Sequence, residues 1–284
     1  MAVRTRSQLV ERLTVGLIQT TPRFGAVDEN LERIAALVST LGATDLAVTP
    51  ELSAHGYACD PANGWPTIDP SDRRLSNWPA NAHAVGVGFA YRRGHSKPYN
   101  SYAISGLHPQ PVQHKLHVVG YPPWNEHHSF APGSKLNTFK LGDTLCANLI
   151  CNDMWHPVAP WAAAAHGAEV LFAPAASAAG DDPAAVQRTW DVIIEHTARV
   201  LACYVVFVNR CGADQQATFW GGSRVVDPEG SELMRLGDNE DAVAVELDLS
   251  AVRSARRSRP YTAETNPAFL SDVLASLAQG HLRV

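Results

Sequence analysis

Three residues far apart along the chain, Glu51, Lys115 and Cys151, have the types needed for acyl transfer at a C–N bond. A free thiol, with a pKa of about 8.5, is only a few per cent thiolate at neutral pH and needs a base. A carboxylate can take the thiol proton and return it to a leaving amine. An ammonium, helped by a backbone N–H beside the nucleophile, can hold the oxyanion of a tetrahedral intermediate. Taken singly the signals are weak: a Cys in an apolar strand is more often a small core residue, and a single Lys or Glu is more often solvated or paired. Lysine is scarce here, however, with Lys97, Lys115, Lys135 and Lys140 the four in the chain, so one beside a chemical motif stands out.

The three share a topological address. Glu51 ends the strand-like run DLAVTPE (Asp45–Glu51), Cys151 ends TLCANLIC (Thr144–Cys151), and Lys115 lies near the end of Pro111–Leu116. Sites on parallel sheets form outside the carboxyl ends of strands, so these side chains can converge. The elements that would place them follow from the hydrophobic periods. A strand over Leu13–Gln19, a helix over Glu29–Leu41 with Asp28 as N-cap and Gly42 as stop, and the strand Asp45–Glu51 make one βαβ unit with parallel strands. The strand Thr144–Cys151, a short helix over Pro157–His166 stopped by Gly167, and the strand Glu169–Ala173 repeat that order.

Ala84–Tyr91, Tyr99–Ser105 and Pro111–Leu116 read as strands between the two units. A helix over Pro183–Ala202, a strand over Tyr204–Asn209, a hairpin at Asp227–Gly230 and an alternating strand over Ala242–Asp248 follow. No linker or composition break splits residues 1–284, which read as one layered α/β domain, with 250–284 a tail or partner-facing segment carrying a helix over Pro267–Gln279. Pro61–Ala82 is expected to be irregular and to rim a site.

The motifs around these residues resemble those of the nitrilase (carbon–nitrogen hydrolase) superfamily, from VGLIQT at Val15 to VAVELDL at Val243. PELSAHGY (Pro50–Tyr57), HKLH (His114–His117) and LICNDMWHP (Leu149–Pro157) are similar to the family's base, lysine and nucleophile motifs. That resemblance implies Glu51 as general base, Lys115 as the oxyanion cation, Cys151 as nucleophile, and the Asn152 N–H as a second oxyanion donor. NEHHSFAPG (Asn125–Gly133) is similar to the segment of the family's second glutamate and implies Glu126, which positions Lys115 or assists proton transfer. FWGGSRVVDPEG (Phe219–Gly230) resembles the late strand and hairpin. The resemblance further implies a four-layer αββα sandwich and assembly into a homodimer or larger homo-oligomer. Pro61–Ala82 departs from the family, which commonly has a longer regular helix there.

Other residues carry plainer readings. Tyr57, Trp124 and Trp155 either line the substrate cavity or pack in the core. Asp153 either orients the turn after Cys151 or caps the helix near Pro157, and the cap is the favoured reading. His114, His117, His127 and His128 with Glu126 lack the spacing of a zinc site, so neither metal nor organic cofactor is expected. Cys59 and Cys211 are read as neutral thiols near the site.

Composition bounds the rest. The 284 residues carry 23 Lys and Arg against 28 Asp and Glu, a net charge of −5, so no basic surplus points to nucleic acid or anionic lipid. Five cysteines lack a disulfide-scaffold spacing. The charged start, Met1–Leu13, is no signal peptide, and the longest apolar stretch, Val200–Val208, is about half a membrane span. A soluble cytoplasmic protein acting on a small amide or ureido compound is expected, with neither nucleic-acid nor membrane partner. The Cys151-x-Asp153-x-Trp155 arrangement resembles glutamine-amidase domains of NAD synthetases, although the chain ends at Val284 without a synthetase domain. Asn152 stands where true nitrilases commonly have Trp, which ranks the activities as amidase, then N-carbamoyl amine or amino-acid hydrolase, then nitrilase. Metal-dependent hydrolysis and a non-catalytic scaffold are the readings from other classes.

Overall fold

A computed structural model describes residues 12–58, 64–122, 124–214 and 216–279. Cys59, the start of the Pro61–Ala82 segment and the last five residues of the expected tail lie outside these. A first sheet starts with β1 (Arg12–Gln19), β2 (Thr44–Val48), β3 (Ala82–Tyr91), β4 (Tyr99–Ser105) and β5 (Val112–His114). A second holds β6 (Thr138–Leu141), β7 (Thr144–Asn148), β8 (Val170–Ala175) and β9 (Tyr204–Asn209). A small hairpin, β10 (Cys211–Ala213) and β11 (Thr218–Trp220), precedes β12 (Arg224–Val226) and β13 (Glu232–Arg235), which extend the second sheet. The last strand, β14 (Asp241–Asp248), returns to the first. The strand orders are β14-β1-β2-β3-β4-β5 and β13-β12-β9-β8-β7-β6. Each sheet has a parallel centre, β1-β2-β3 in one and β7-β8-β9 in the other, flanked by antiparallel strands.

The alternation of side chains explains why the sheets stack. Val15, Leu17, Leu46, Val48 and Ile104 from the first sheet meet Cys146, Val170, Phe172, Val206 and Val225 from the second in one buried cluster. The intervening residues point the other way. Ala47, Val85, Val87 and Phe89 pack under α1 (Val27–Ser39) through Leu31, Ile34 and Val38. Ala147, Leu171, Val205 and Phe207 pack under the second helical layer through Ala163, Trp190, Ile194 and Ala198. Strands apolar on both faces need cover on both faces, and the result is an αββα sandwich.

Helix α1 begins one residue before Asp28. Its N-cap is Ala26, without a side-chain cap, and Asp28 instead pairs with Arg74 at 2.8 Å from within the first turn, where a carboxylate favours the helix dipole. After it come a short α2 (Glu126–Ser129), α3 (Val158–Ala165), α4 (Pro183–Leu201), α5 (Leu249–Ser258) and α6 (Pro267–Ala278). Asp182 caps α4 by accepting from Ala185 N–H, with Pro183 at its first position. The segment 250–258 is not a tail. Helix α5 buries Leu249 and Val252 in the core between the sheets, and Arg256 donates to the backbone carbonyls of Gly167 and Ala202. Helix α6, in contrast, buries none of its residues and exposes Phe269, Leu274 and Leu277. Of the described part of 61–82, only Arg73–Ser76 forms a helical turn. Among the described residues no helix is long and apolar enough to cross a membrane.

Candidate active site

Strands β2 and β7 stop short of the residues expected at their ends. Glu51 lies three residues past β2, and Cys151 three residues past β7, as the first residue of a 3-10 turn over Cys151–Trp155. Both are therefore on turns just outside carboxyl ends of parallel strands. Gly88 on β3 makes room for the first turn, because a Cβ there would lie 2.3 Å from the Leu52 nitrogen. Lys115 follows β5. Its N–H donates to the Asn100 carbonyl at 2.8 Å, and its own carbonyl accepts from Gly133 N–H at 2.7 Å. A side chain at Gly133 would collide with the His114 carbonyl, 2.6 Å away. Glu126 opens α2.

Backbone strain collects at these places. Four described non-glycine residues have left-handed φ, namely Leu52 (50°), Asn125 (39°), Cys151 (47°) and Ala202 (48°). Three of them are Cys151 itself and the neighbours of Glu51 and Glu126. Such conformations cost of order 1–3 kcal/mol each and persist where the surroundings over-determine them.

Lys115 is buried between two buried carboxylates. Its Nζ donates to Glu51 Oε1 at 2.7 Å and to Glu126 Oε1 at 2.8 Å. Glu51 also accepts from Asn100 Nδ2 at 2.7 Å and from Ala176 N–H at 2.9 Å. Glu126 accepts from the Tyr57 hydroxyl at 2.6 Å and from Val119 N–H at 2.9 Å. An ammonium has three protons; two go to the carboxylates, and among the described residues none accepts the third. Cys151, Glu51, Lys115 and Glu126 all line one cavity of about 250 Å³. That is below the ~300–1,000 Å³ typical of pockets for drug-sized ligands.

The electrostatics follow from burial. Desolvation raises the Glu51 pKa, against the pull of the Lys115 charge, and the neighbouring Glu126 raises it further. Desolvation works to lower the Lys115 pKa, but Glu126 and Glu51 outweigh it and hold the ammonium well above its ordinary value. Burial pushes the Cys151 thiol well up, with the Glu51 charge adding to it and Lys115 opposing. The resting sulfur is thus a neutral thiol beside a carboxyl group whose pKa burial holds up and a permanent cation. Burial and both carboxylates also keep the Tyr57 hydroxyl protonated, so it acts as a donor to Glu126.

The structure brings Tyr57, Trp124, Trp155 and Asn152 to this cavity as well. Tyr57 and Trp124 pack edge to face at 5.5 Å, and Trp155 packs likewise on Trp190 at 5.6 Å. The Asn152 amide donates to the His117 carbonyl at 3.0 Å. Asp153 is not the cap of the following helix, which has no side-chain cap. Buried, it accepts from the N–H groups of Leu116 and His117 at 3.0 and 2.8 Å and from Ile150 N–H at 3.0 Å. It ties the Lys115 loop to the Cys151 turn, and the cap reading fails because those inward-facing amides were closer partners.

The histidines do not gather. His114 stacks on Tyr99 at 4.5 Å and His117 on His156 at 3.9 Å. Among the described residues no group of three or more His, Cys, Asp or Glu is placed to hold a metal ion. Cys211 is buried against Thr21, beside a different surface cleft.

Asn100 and the Ala176–Ala178 loop are parts of the site that the sequence reading missed. The loop signal was available, since PAAS leaves the carboxyl end of β8, the same address that singled out Glu51 and Cys151. Asn100 carried no such mark. Its contact yields a prediction: replacing Asn100 by Leu removes a hydrogen bond that favours the charged carboxylate, so the Glu51 pKa rises further. The acid limb of a kcat/KM–pH profile then moves to higher pH. A limb left in place in Asn100→Leu would mean that Glu51 does not control it.

The two stacked sheets with their helical layers are those of a nitrilase-superfamily protein. The chain belongs to the carbon–nitrogen hydrolase family, whose model matches residues 14–257. It is 31% identical over 260 residues to an (R)-stereoselective amidase of Pseudomonas sp., covering 88% of this chain and 90% of that protein. Its fold matches that of a carbon–nitrogen hydrolase from Helicobacter pylori G27 with TM-score 0.80 at 21% identity, over 93% and 98% of the two chains. It also matches an amidase of Nesterenkonia sp. AN1, in a variant with the acetamide moiety of fluoroacetamide covalently added at the active-site cysteine. There the TM-score is 0.72 at 23% identity, over 89% and 97% of the chains.

Proposed function

We propose that this protein is a cysteine-dependent amidase that hydrolyses small linear amides through a thioester on Cys151. The observation that carries the reading is the buried Lys115 ammonium, held by Glu51 and Glu126 with a third proton that none of the described residues accepts, in the cavity that Cys151 lines. Glu51 removes the thiol proton as sulfur attacks the amide carbon. The oxyanion is held by Lys115 and the Asn152 N–H. Glu51 then delivers its proton to nitrogen, and the C–N bond breaks. Water attacks the thioester, giving one proton to Glu51 as the C–O bond forms. The C–S bond breaks and the proton returns to sulfur. Glu126, held by Tyr57, keeps Lys115 charged and aimed. A raised thiol pKa suits this sequence, because proton removal is coupled to attack and no free thiolate accumulates.

The 31% identity to an (R)-stereoselective amidase and the cysteine adduct in the Nesterenkonia amidase support the amide reading. The test is a panel of small amides, ureido compounds and nitriles assayed for ammonia or amine release. Amides should turn over fastest; a panel cleaved mainly at ureido carbons would replace the amidase reading with a carbamoyl hydrolase.

We further propose that the protein works as a homo-oligomer in the cytoplasm, joined through the outer face of α3, α4 and α6. Trp155, Val158, Val192, Phe269 and Leu274 are exposed there around an apolar groove of about 440 Å³. Exposed apolar patches of this kind mark interaction sites. Trp155 borders both this groove and the catalytic cavity. Val192→Glu should convert the assembly to monomer in sedimentation velocity and lower turnover through Trp155. A monomeric parent protein would dismiss the proposal.

A further inference from the structure

Ser177 lies on the loop leaving β8 and lines the catalytic cavity. Its main chain is clamped on both sides by Asn209, whose Oδ1 accepts from its N–H at 2.8 Å and whose Nδ2 donates to its carbonyl at 3.3 Å. Its hydroxyl oxygen accepts twice, from Trp190 Nε1 at 2.9 Å and from Trp220 Nε1 at 3.2 Å. An indole N–H can only donate, whereas a hydroxyl offers two lone pairs and one proton. Both lone pairs are taken, and among the described residues none accepts the proton.

Rotation cannot reverse this polarity. Both indoles are buried. Trp190 packs against Trp155 and Phe207, and Trp220 stacks on the other side of the same group at 5.6 Å from Phe207. Turning the hydroxyl would strand two buried N–H groups without an acceptor, which is costly. Away from the Glu51–Lys115–Glu126–Cys151 cluster, the described lining side chains carry no charge; Tyr121, Trp124, Val186 and Trp190 are typical. Among the described residues a charged substituent would meet no counter-ion there.

We propose that Ser177 is a specificity-determining residue, an obligate hydrogen-bond donor to the non-reacting part of the substrate. The substrate class is then a small uncharged amide bearing an acceptor oxygen, an ether, carbonyl or ester, outside the scissile group. Methylene isosteres leave the proton unpaired. Ammonium substituents set donor against donor. The inference rests on the amidase reading for its chemistry but concerns binding, so the two are separable.

Size-matched pairs test it: methoxyacetamide against butyramide for the acyl side, and N-(2-methoxyethyl)acetamide against N-butylacetamide for the amine side. Affinities are read on the Cys151→Ala protein by tryptophan fluorescence, since Trp124, Trp155 and Trp190 line the cavity, and turnover is read on the parent. At least one ether should bind about 3- to 10-fold tighter than its isostere, the worth of a neutral hydrogen bond. Adding Ser177→Ala should erase that preference and Ser177→Thr should keep it. Ratios within twofold for both pairs, binding by none of the four, or a preference that survives Ser177→Ala would overturn the proposal. The ratio is read first with Ser177 intact, so the outcome stands even where Ser177→Ala does not fold. An ether preference without turnover keeps the Ser177 assignment and removes the amidase reading; turnover without preference does the reverse.

Discussion

Cys151→Ala should lower amide turnover by about 10⁴-fold or more, the usual consequence of removing a nucleophile. At about 1.4 kcal/mol per tenfold this is at least 5.5 kcal/mol of transition-state stabilisation. Neither neighbour can replace the sulfur, because Lys115 is held charged by two carboxylates and Glu51 has its oxygens committed to Lys115, Asn100 and Ala176. The other described thiols are poorly placed. Cys146, Cys203 and Cys211 are fully buried, whereas Cys151 is half-buried and opens to the cavity. Mass spectrometry of the parent with a slow amide should therefore find the acyl group on the peptide containing Cys151. An adduct on another thiol, or a variant turning over near the parental rate, would move the nucleophile elsewhere.

Lys115→Met should cost both activity and stability, and the stability loss should depend on pH. Removing one partner of a buried charge cluster costs about 3–5 kcal/mol, because the charges left behind are uncompensated. Here two carboxylates remain that had shared one ammonium, at 2.7 and 2.8 Å from its nitrogen. With the Lys115 charge gone, desolvation and the neighbouring Glu126 raise the Glu51 pKa further above that of the unfolded chain, so the folded variant binds more protons than the unfolded one. Its stability falls as pH rises from the ordinary carboxylate range through the raised folded value, and it recovers on acidification. Thermal unfolding across pH 5–8 should show the Lys115→Met deficit shrinking towards pH 5. A pH-independent deficit would mean that the carboxylates had found other partners or water. Turnover should fall together with oxyanion stabilisation, by about 10²–10³-fold for the loss of one such donor. Glu51 would also lose the charge that opposes the rise of its pKa.

Several features were legible because they are local. The apolar runs of β1, β8 and β9 announce buried strands, and α4 falls where the helix over Pro183–Ala202 is expected. The address rule pointed to Glu51 and Cys151, although both lie on turns beyond the strands and not at their last residues. The Asp28 cap and the Asp153 cap failed for a common reason. Each acid had a better partner brought in from a remote segment, Arg74 for one and the amides of residues 116, 117 and 150 for the other. Residues 250–258 depart from the tail reading similarly, since α5 is amphipathic and its cover, the inter-sheet core, comes from strands far away in the chain.

By itself the order of residues determined which side chains are the candidates for chemistry, which strands must be covered on both faces, and the family to which the motifs belong, because residue type, spacing and alternation are written along the chain. Only the tertiary structure decided the charge state and the company of those groups. The committed protons on Lys115, the clamping of Glu51 by Asn100 and Ala176, and the one-way hydroxyl of Ser177 depend on distances of about 3 Å between segments up to 125 residues apart. Hydrogen bonding and desolvation act through space at that range, and periodicity along one strand or helix carries no information about which distant donor will fill it.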